Sequence, residues 1–279
     1  MMSSVCYHDI FNYPLTKEEI IKWKCNTSIN PLRQGFVGQA SKNGYYFLKN
    51  RESLIKQRQD REKISARKLE IAKKAAEILS KIPNIKMVAV TGSLAMMNSS
   101  EESDIDLLII TRQNTLWLSR LLVLVIFFLL DIPVRRSDDS SQKDKLCLNM
   151  WLDESDLVWS KKDRNIYTAH EIAQIVPLVN KDKTYEKFLY QNKWILDFWP
   201  NSVKIGKLRG SEPWKFNEKL RDPRSWKLEI GKFKFVEKIC YWIQYNYMRT
   251  KITRETVSET RALFHPHDWG KVVLKKLSS

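Results

Sequence analysis

Cysteine is sparse and scattered in this chain. The four residues, Cys6, Cys25, Cys147 and Cys240, form no C-x-x-C pair, which excludes a zinc ribbon or a disulfide framework and reads as isolated thiols in a reducing compartment. Histidine is equally rare, at 4 residues. His170-Glu171 lacks the second histidine of a zinc-protease helix and reads as a structural hydrogen-bonding pair. His265-Pro-His267-Asp268 resembles a metal cluster in composition only and reads as a tight turn. No basic region followed by an apolar run occurs between Met1 and Tyr13, so no signal peptide is read and cytoplasmic residence is the expectation. Long apolar runs are missing too. The longest, Leu121 to Leu130, falls well short of the roughly 20 residues a bilayer span needs, so no transmembrane span is expected. Acidic residues are the last shortage: 32 against 48 Lys and Arg leave a net charge of +16. Such a surplus favours polyanionic partners, namely nucleic acid, nucleotides or an anionic membrane surface.

What is present is a folded chain. Hydrophobic residues make up 43% and charged residues 29%, and 279 residues suffice for a large core. Residues 1–50 read as a small helical module with a glycine-flanked strand. Thr16 and Glu19 stand in capping-box spacing, Gly35, Gly38 and Gly44 break the pattern, and Tyr45 to Leu48 is strand-like. The layout is compatible with a DNA-binding winged helix and equally with a docking module. Residues 51–81 predict a basic helix, with ten basic against five acidic residues, ended at Pro83. Leu116 to Leu130 predicts a helix apolar nearly all round, buried between a sheet and further helices. Tyr167–Val176 and Tyr185–Trp199 predict covering helices. Residues 201–279 form a basic helical C-terminal region with loop signals at Gly206, Gly210, Pro213 and Pro223, then a helix from Trp226 to Thr250. Its Phe233, Phe235, Trp242 and Tyr247 among lysines and arginines suit base stacking or packing onto the core alike.

Between these parts lies the informative stretch. Val88-Ala-Val-Thr-Gly-Ser93 reads as a strand ending in a turn, and Asp104-Ile-Asp106 opens a second strand. Alternate strand residues share a face, so Asp104 and Asp106 point the same way, roughly 6–7 Å apart, a spacing suited to hard divalent cations such as a pair of Mg²⁺ ions. Gly92 lets backbone N–H groups approach an anion, and Ser93 adds a hydroxyl. Leu146 to Leu152 predicts a third strand. Asn149 and Asp153 share its parity, so either is a candidate third site position.

These residues resemble the DNA polymerase β-like nucleotidyltransferase superfamily: a Gly-Ser turn, ten intervening residues (Leu94 to Ser103), then D-x-D opening an apolar strand. The resemblance extends over roughly residues 85–153. It implies an α/β (α+β) fold, a small mixed sheet with covering helices, in a core spanning residues 51–200. It also implies that Gly92 and Ser93 bind the triphosphate and that Asp104 and Asp106 are catalytic and bind Mg²⁺. The reaction implied is transfer of a nucleoside monophosphate from an NTP to a hydroxyl of an unidentified acceptor. Nucleic acid is a candidate partner through the basic terminal regions. Two positions depart from the family pattern: Met96-Met97 replaces Arg-Gly, and Asn149 occupies the third-carboxylate position. An amide is no base and brings no charge. The rival expectation is therefore a non-catalytic nucleotide- or nucleic-acid-binding protein on the same fold. A third reading is peripheral membrane attachment through residues 116–134 and the basic tail.

Overall fold

The computed structural model describes residues 2–27, 38–136, 139–204, 223–250, 252–253, 255–264 and 268–278, with backbone alone over 223–233. Gly35, Gly206, Gly210, Pro213, His265 and His267, and the Phe233 side chain, lie outside what is described.

The chain begins with α1 (Met2–Asp9), β1 (Leu15–Thr16) and α2 (Lys17–Lys22), followed by β2 (Gln39–Lys42) and β3 (Tyr45–Leu48). The three short strands form an antiparallel sheet in the order β1-β3-β2. Thr16 and Glu19 make the capping box that starts α2. Glu19 also pairs with the buried Arg58 of α3 (Ser53–Ser80), one continuous helix.

The main sheet has six strands, in the order β7 (Val176–Asn180), β4 (Ile85–Val90), β5 (Ile105–Thr111), β6 (Leu146–Asp153), β9 (Arg261–Leu263) and β8 (Thr256–Val257). At its centre lie β4 and β5, which are antiparallel, and β6, which runs parallel to β5. A parallel pair needs a crossover, and α5 (Leu116–Leu129) supplies it. The strands are apolar on both sides because both faces are covered. Val88, Leu107 and Ile109 pack with Ala72, Ala76 and Leu79 of α3 and with Trp117, Val123 and Phe127 of α5. Met87, Ala89, Leu108 and Ile110 pack with α6 (Ile166–Gln174), α7 (Thr184–Gln191) and α8 (Ile195–Phe198). Tyr7 of α1, Trp23 and Leu48 belong to that second core, so the N-terminal segment is sealed against the sheet.

Three expectations change. The stretch after α6 is an edge strand, β7 (Val176–Asn180), which accommodates Pro177. The C-terminal region is not purely helical. After α9 (Pro223–Met248), β8 (Thr256–Val257) and β9 (Arg261–Leu263) extend the sheet beside β6, and α10 (Trp269–Ser278) follows. Finally, α5 is not buried all round. Val123 and Phe127 are fully covered, whereas Phe128 is 76% and Leu129 73% exposed. The sheet and α9 cover only part of its circumference.

His170 also finds another partner than Glu171. Its Nε2 lies 3.1 Å from Nε2 of His8. Nδ1 of His8 donates to the Ser4 carbonyl, so His8 presents a bare Nε2 and His170 donates to it. Glu171 instead accepts from Gln174.

Candidate active site

β4 ends at Val90 and the chain turns through Thr91 and Gly92 into a four-residue helix, α4 (Gly92–Ala95). Gly92 has φ +58°, and a Cβ there would stand 2.9 Å from Oδ2 of Asp106. Glycine is required twice over, by the left-handed backbone and by the closeness of the carboxylate. Thr91 N–H bonds the Asp106 carbonyl at 3.1 Å, locking turn to strand. Ser93 is exposed, with its hydroxyl 3.3 Å from that of Ser99. Met97, in the position where the family pattern has glycine, has φ +54°. A methionine here adopts the left-handed backbone that suits glycine.

Asp104 directly precedes β5 and Asp106 is its second residue. Ligand atoms of Asp104, Asp106 and Cys147 all lie within 4.8 Å of one another. Burial first, and the neighbouring Asp104 charge second, push Asp106 up to about 7. Burial also raises the Cys147 thiol, with both aspartates adding to the effect, so it is held protonated. Arg135 Nη1 donates to Asp104 Oδ2 at 2.6 Å. Its placement follows from backbone pairing of residues 133–135 with Leu146 at the start of β6.

Asn149 is on the site. Its Nδ2 donates to Asp106 Oδ1 at 2.7 Å, while its Oδ1 is buried without a hydrogen-bond partner. Asp153 is elsewhere. It pairs across from Thr111, whereas Cys147 pairs across from Asp106, about 16 Å of strand away. Its carboxylate accepts from Asn114 N–H and from Ser155. The shared parity expected of Asn149 and Asp153 is broken by a bulge: Leu148 and Asn149 together face Leu107 between the Asp106–Cys147 and Leu108–Met150 pairs. Beyond it the phase inverts, and Trp151 packs on the α5 face while Leu152 packs on the α6 face.

Four neighbours escaped the sequence reading because each comes from a distant element. Arg135 is one. Gln174 Nε2 bonds both the Gly92 carbonyl at 3.3 Å and Glu171 Oε1 at 2.8 Å, tying α6 to the turn. Glu171 is pushed up to about 8, by burial first and then by the Asp106 charge. Helical spacing put Glu171 and Gln174 on one face of α6, but only the fold says which element that face meets. Lys68, fully buried on α3, holds the approach to Asp104 by donating to the carbonyls of Glu101 and Ser103 and to Asp144. That part of the basic helix is structural.

The arrangement is an acidic pair on a strand, backed by a glycine turn and ringed by Arg135, Asn149 and Glu171. It is able to hold a divalent cation. Comparison with curated proteins and with solved structures yields no match. Residues 73–184 match the family model described as Polymerase beta, Nucleotidyltransferase.

Proposed function

Residues 73–184 form a nucleotidyltransferase domain of the DNA polymerase β-like superfamily, and from that premise we propose that the protein transfers a nucleoside monophosphate from an NTP to an acceptor hydroxyl, using Mg²⁺ at Asp104 and Asp106. The observation that carries this reading is the approach of Gly92 to Asp106, so close that a Cβ would stand 2.9 Å from Oδ2, which sets the glycine turn against the carboxylate pair. The donor set suits a hard ion: two carboxylates, with the unpartnered Asn149 Oδ1 as a neutral third oxygen. The protonated Cys147 thiol is no ligand for Mg²⁺. When bound, the ion neutralises phosphate charge and lowers the pKa of the attacking hydroxyl.

The chain's own residues do the rest. Gly92 leaves the backbone open to the triphosphate, and Ser93 offers it a hydroxyl donor. Arg135 keeps Asp104 oriented. Glu171 stands on the Asp106 side, and its ionised form, whose share grows as the pH rises toward 8, takes the acceptor's proton, a task Asn149 cannot perform. The acceptor is left open; the basic surface favours a polyanion such as nucleic acid. No described helix is long and apolar enough to cross a membrane, and a cytoplasmic enzyme is our reading.

The test is pyrophosphate release from each NTP with Mg²⁺ or Mn²⁺ across an acceptor screen. Asp106→Asn is expected to abolish release. Glu171→Gln is expected to lower kcat about 100-fold with little change in the KM for NTP. Silence of the wild-type protein in every combination would overturn the reading.

One observation favours a second reading, a nucleotide-binding protein without turnover: Arg135 and Asn149 already engage both aspartates. Calorimetry that finds nucleotide binding without pyrophosphate release, and no turnover gained in Asn149→Asp, would select it.

A further inference from the structure

The sheet face opposite Asp106 carries an apolar surface that the nucleotidyltransferase reading leaves unused. On α5, Leu121, Val125 and Phe128 recur along the outer side, flanked by Leu122 and Leu129, with exposures from 37% to 76%. Helical spacing puts them on one stripe, opposite the buried Val123 and Phe127. No charged residue interrupts it.

α9 lies against α5. Its buried side presents Glu237, Cys240 and Gln244. Glu237 accepts from Trp117 N–H and Leu118 N–H at the start of α5, and Gln244 bonds the Trp117 carbonyl and Arg120. These contacts fix the two helices as one unit. The outer side of α9 carries a second stripe: Phe235 at 69%, Ile239 at 42%, Trp242 at 66% and Ile243 at 51% exposure. Lys234 and Lys238 are exposed at helical spacing along one flank of that stripe, and Arg249 is exposed just past the end of the helix. From Lys234 to Thr250 the only acidic residue is Glu237, and it faces inward.

We infer that the α5–α9 face docks the protein on an anionic lipid surface. The two stripes enter the headgroup boundary and the lysine flank meets the lipid charge. Aromatic and aliphatic residues on one side with cations beside them are what an interfacial helix requires. Neither helix is long and apolar enough to cross a membrane. Charge complementarity argues against a second copy as the occupant. Two such faces would bring the same cations together, on chains already carrying +16 each.

The test is co-sedimentation of the full chain with phosphatidylcholine vesicles, with and without about one-third phosphatidylglycerol. The wild-type chain is expected to pellet with the anionic vesicles only. Phe128→Ser/Leu129→Ser and, separately, Lys234→Glu/Lys238→Glu are each expected to weaken binding at least about fivefold, with unchanged circular dichroism and nucleotide handling. All these positions are exposed, so folding is not at stake. Wild-type protein left in the supernatant would overturn the inference. So would undiminished pelleting of Phe128→Ser/Leu129→Ser, which would mean diffuse charge attraction. A concentration-dependent dimer abolished by that variant, without vesicle binding, would assign the face to a second copy.

Discussion

Gly92 tolerates no side chain, for two separable reasons: its φ of +58° and the Asp106 oxygen 2.9 Å from where a Cβ would stand. Gly92→Ala is therefore expected to cost about 2 kcal/mol in urea unfolding and to impair nucleotide handling beyond that loss. A variant equally active per folded molecule would remove Gly92 from the site. Lys68 makes a second prediction at this scale. Its ammonium is fully buried on two carbonyls and Asp144. Lys68→Met strips the ammonium from the Glu101 carbonyl, while Asp144 keeps Arg67 and the Ser103 carbonyl keeps Asp144 N–H, and is expected to lower stability by about 2 kcal/mol, measured as a shift of the denaturation midpoint. The residues readable beforehand were those whose chemistry is local. Gly92, Ser93, Asp104 and Asp106 announce themselves by spacing along one turn and one strand. Arg135, Glu171 and Gln174 reach the site through tertiary packing, and no short-range pattern marks them.

Elements carry a different kind of information. Between α1 and α6, His8 and His170 share one hydrogen bond inside an aromatic cage of Tyr7, Trp23 and Trp199. Burial lowers His8 from 6.5 to about 4, and His170 is lowered as well. The folded protein keeps both rings neutral, so the unfolded chain binds more protons in that window. The histidines' contribution to stability is complete above pH 6.5 and is lost as the pH drops toward 4, by about 3 kcal/mol from His8 alone. Asp106 and Glu171, both raised in the fold, act with the opposite sign over the same range, so the check is a difference: between pH 7 and pH 5 the Tm of His8→Leu should shift upward relative to that of the wild-type chain. At the other end of the sheet, Glu237 caps α5. Glu237→Ala should cost about 1–2 kcal/mol, read as a lower Tm.

The order of helices and strands through the core followed from apolar periodicity and from Pro83. Three features did not. The β6 bulge depends on parallel pairing with β5, which no local signal encodes. Two-residue β8 and three-residue β9 are too short for alternation to register. The one-sided exposure of α5 has no signature in its sequence, because an apolar helix looks alike whether one side or every side is covered.

For the molecule as a whole, the charge of +16 makes any polyanion complex salt-sensitive. Retention on heparin should fall steeply as salt rises. A flat profile would mean that shape and apolar contact dominate instead.

The union of α1 with the sheet carries a consequence for biosynthesis. His8 and His170 are 162 positions apart, and Trp199 completes their cage. During translation, α1 leaves the ribosome long before α6 and α8 exist to receive it. Tyr7 and Val5 must wait with their apolar surface uncovered, a natural target for a chaperone. Closure of that core is a late, long-range event, so the first helix of the chain is among the last to find its place.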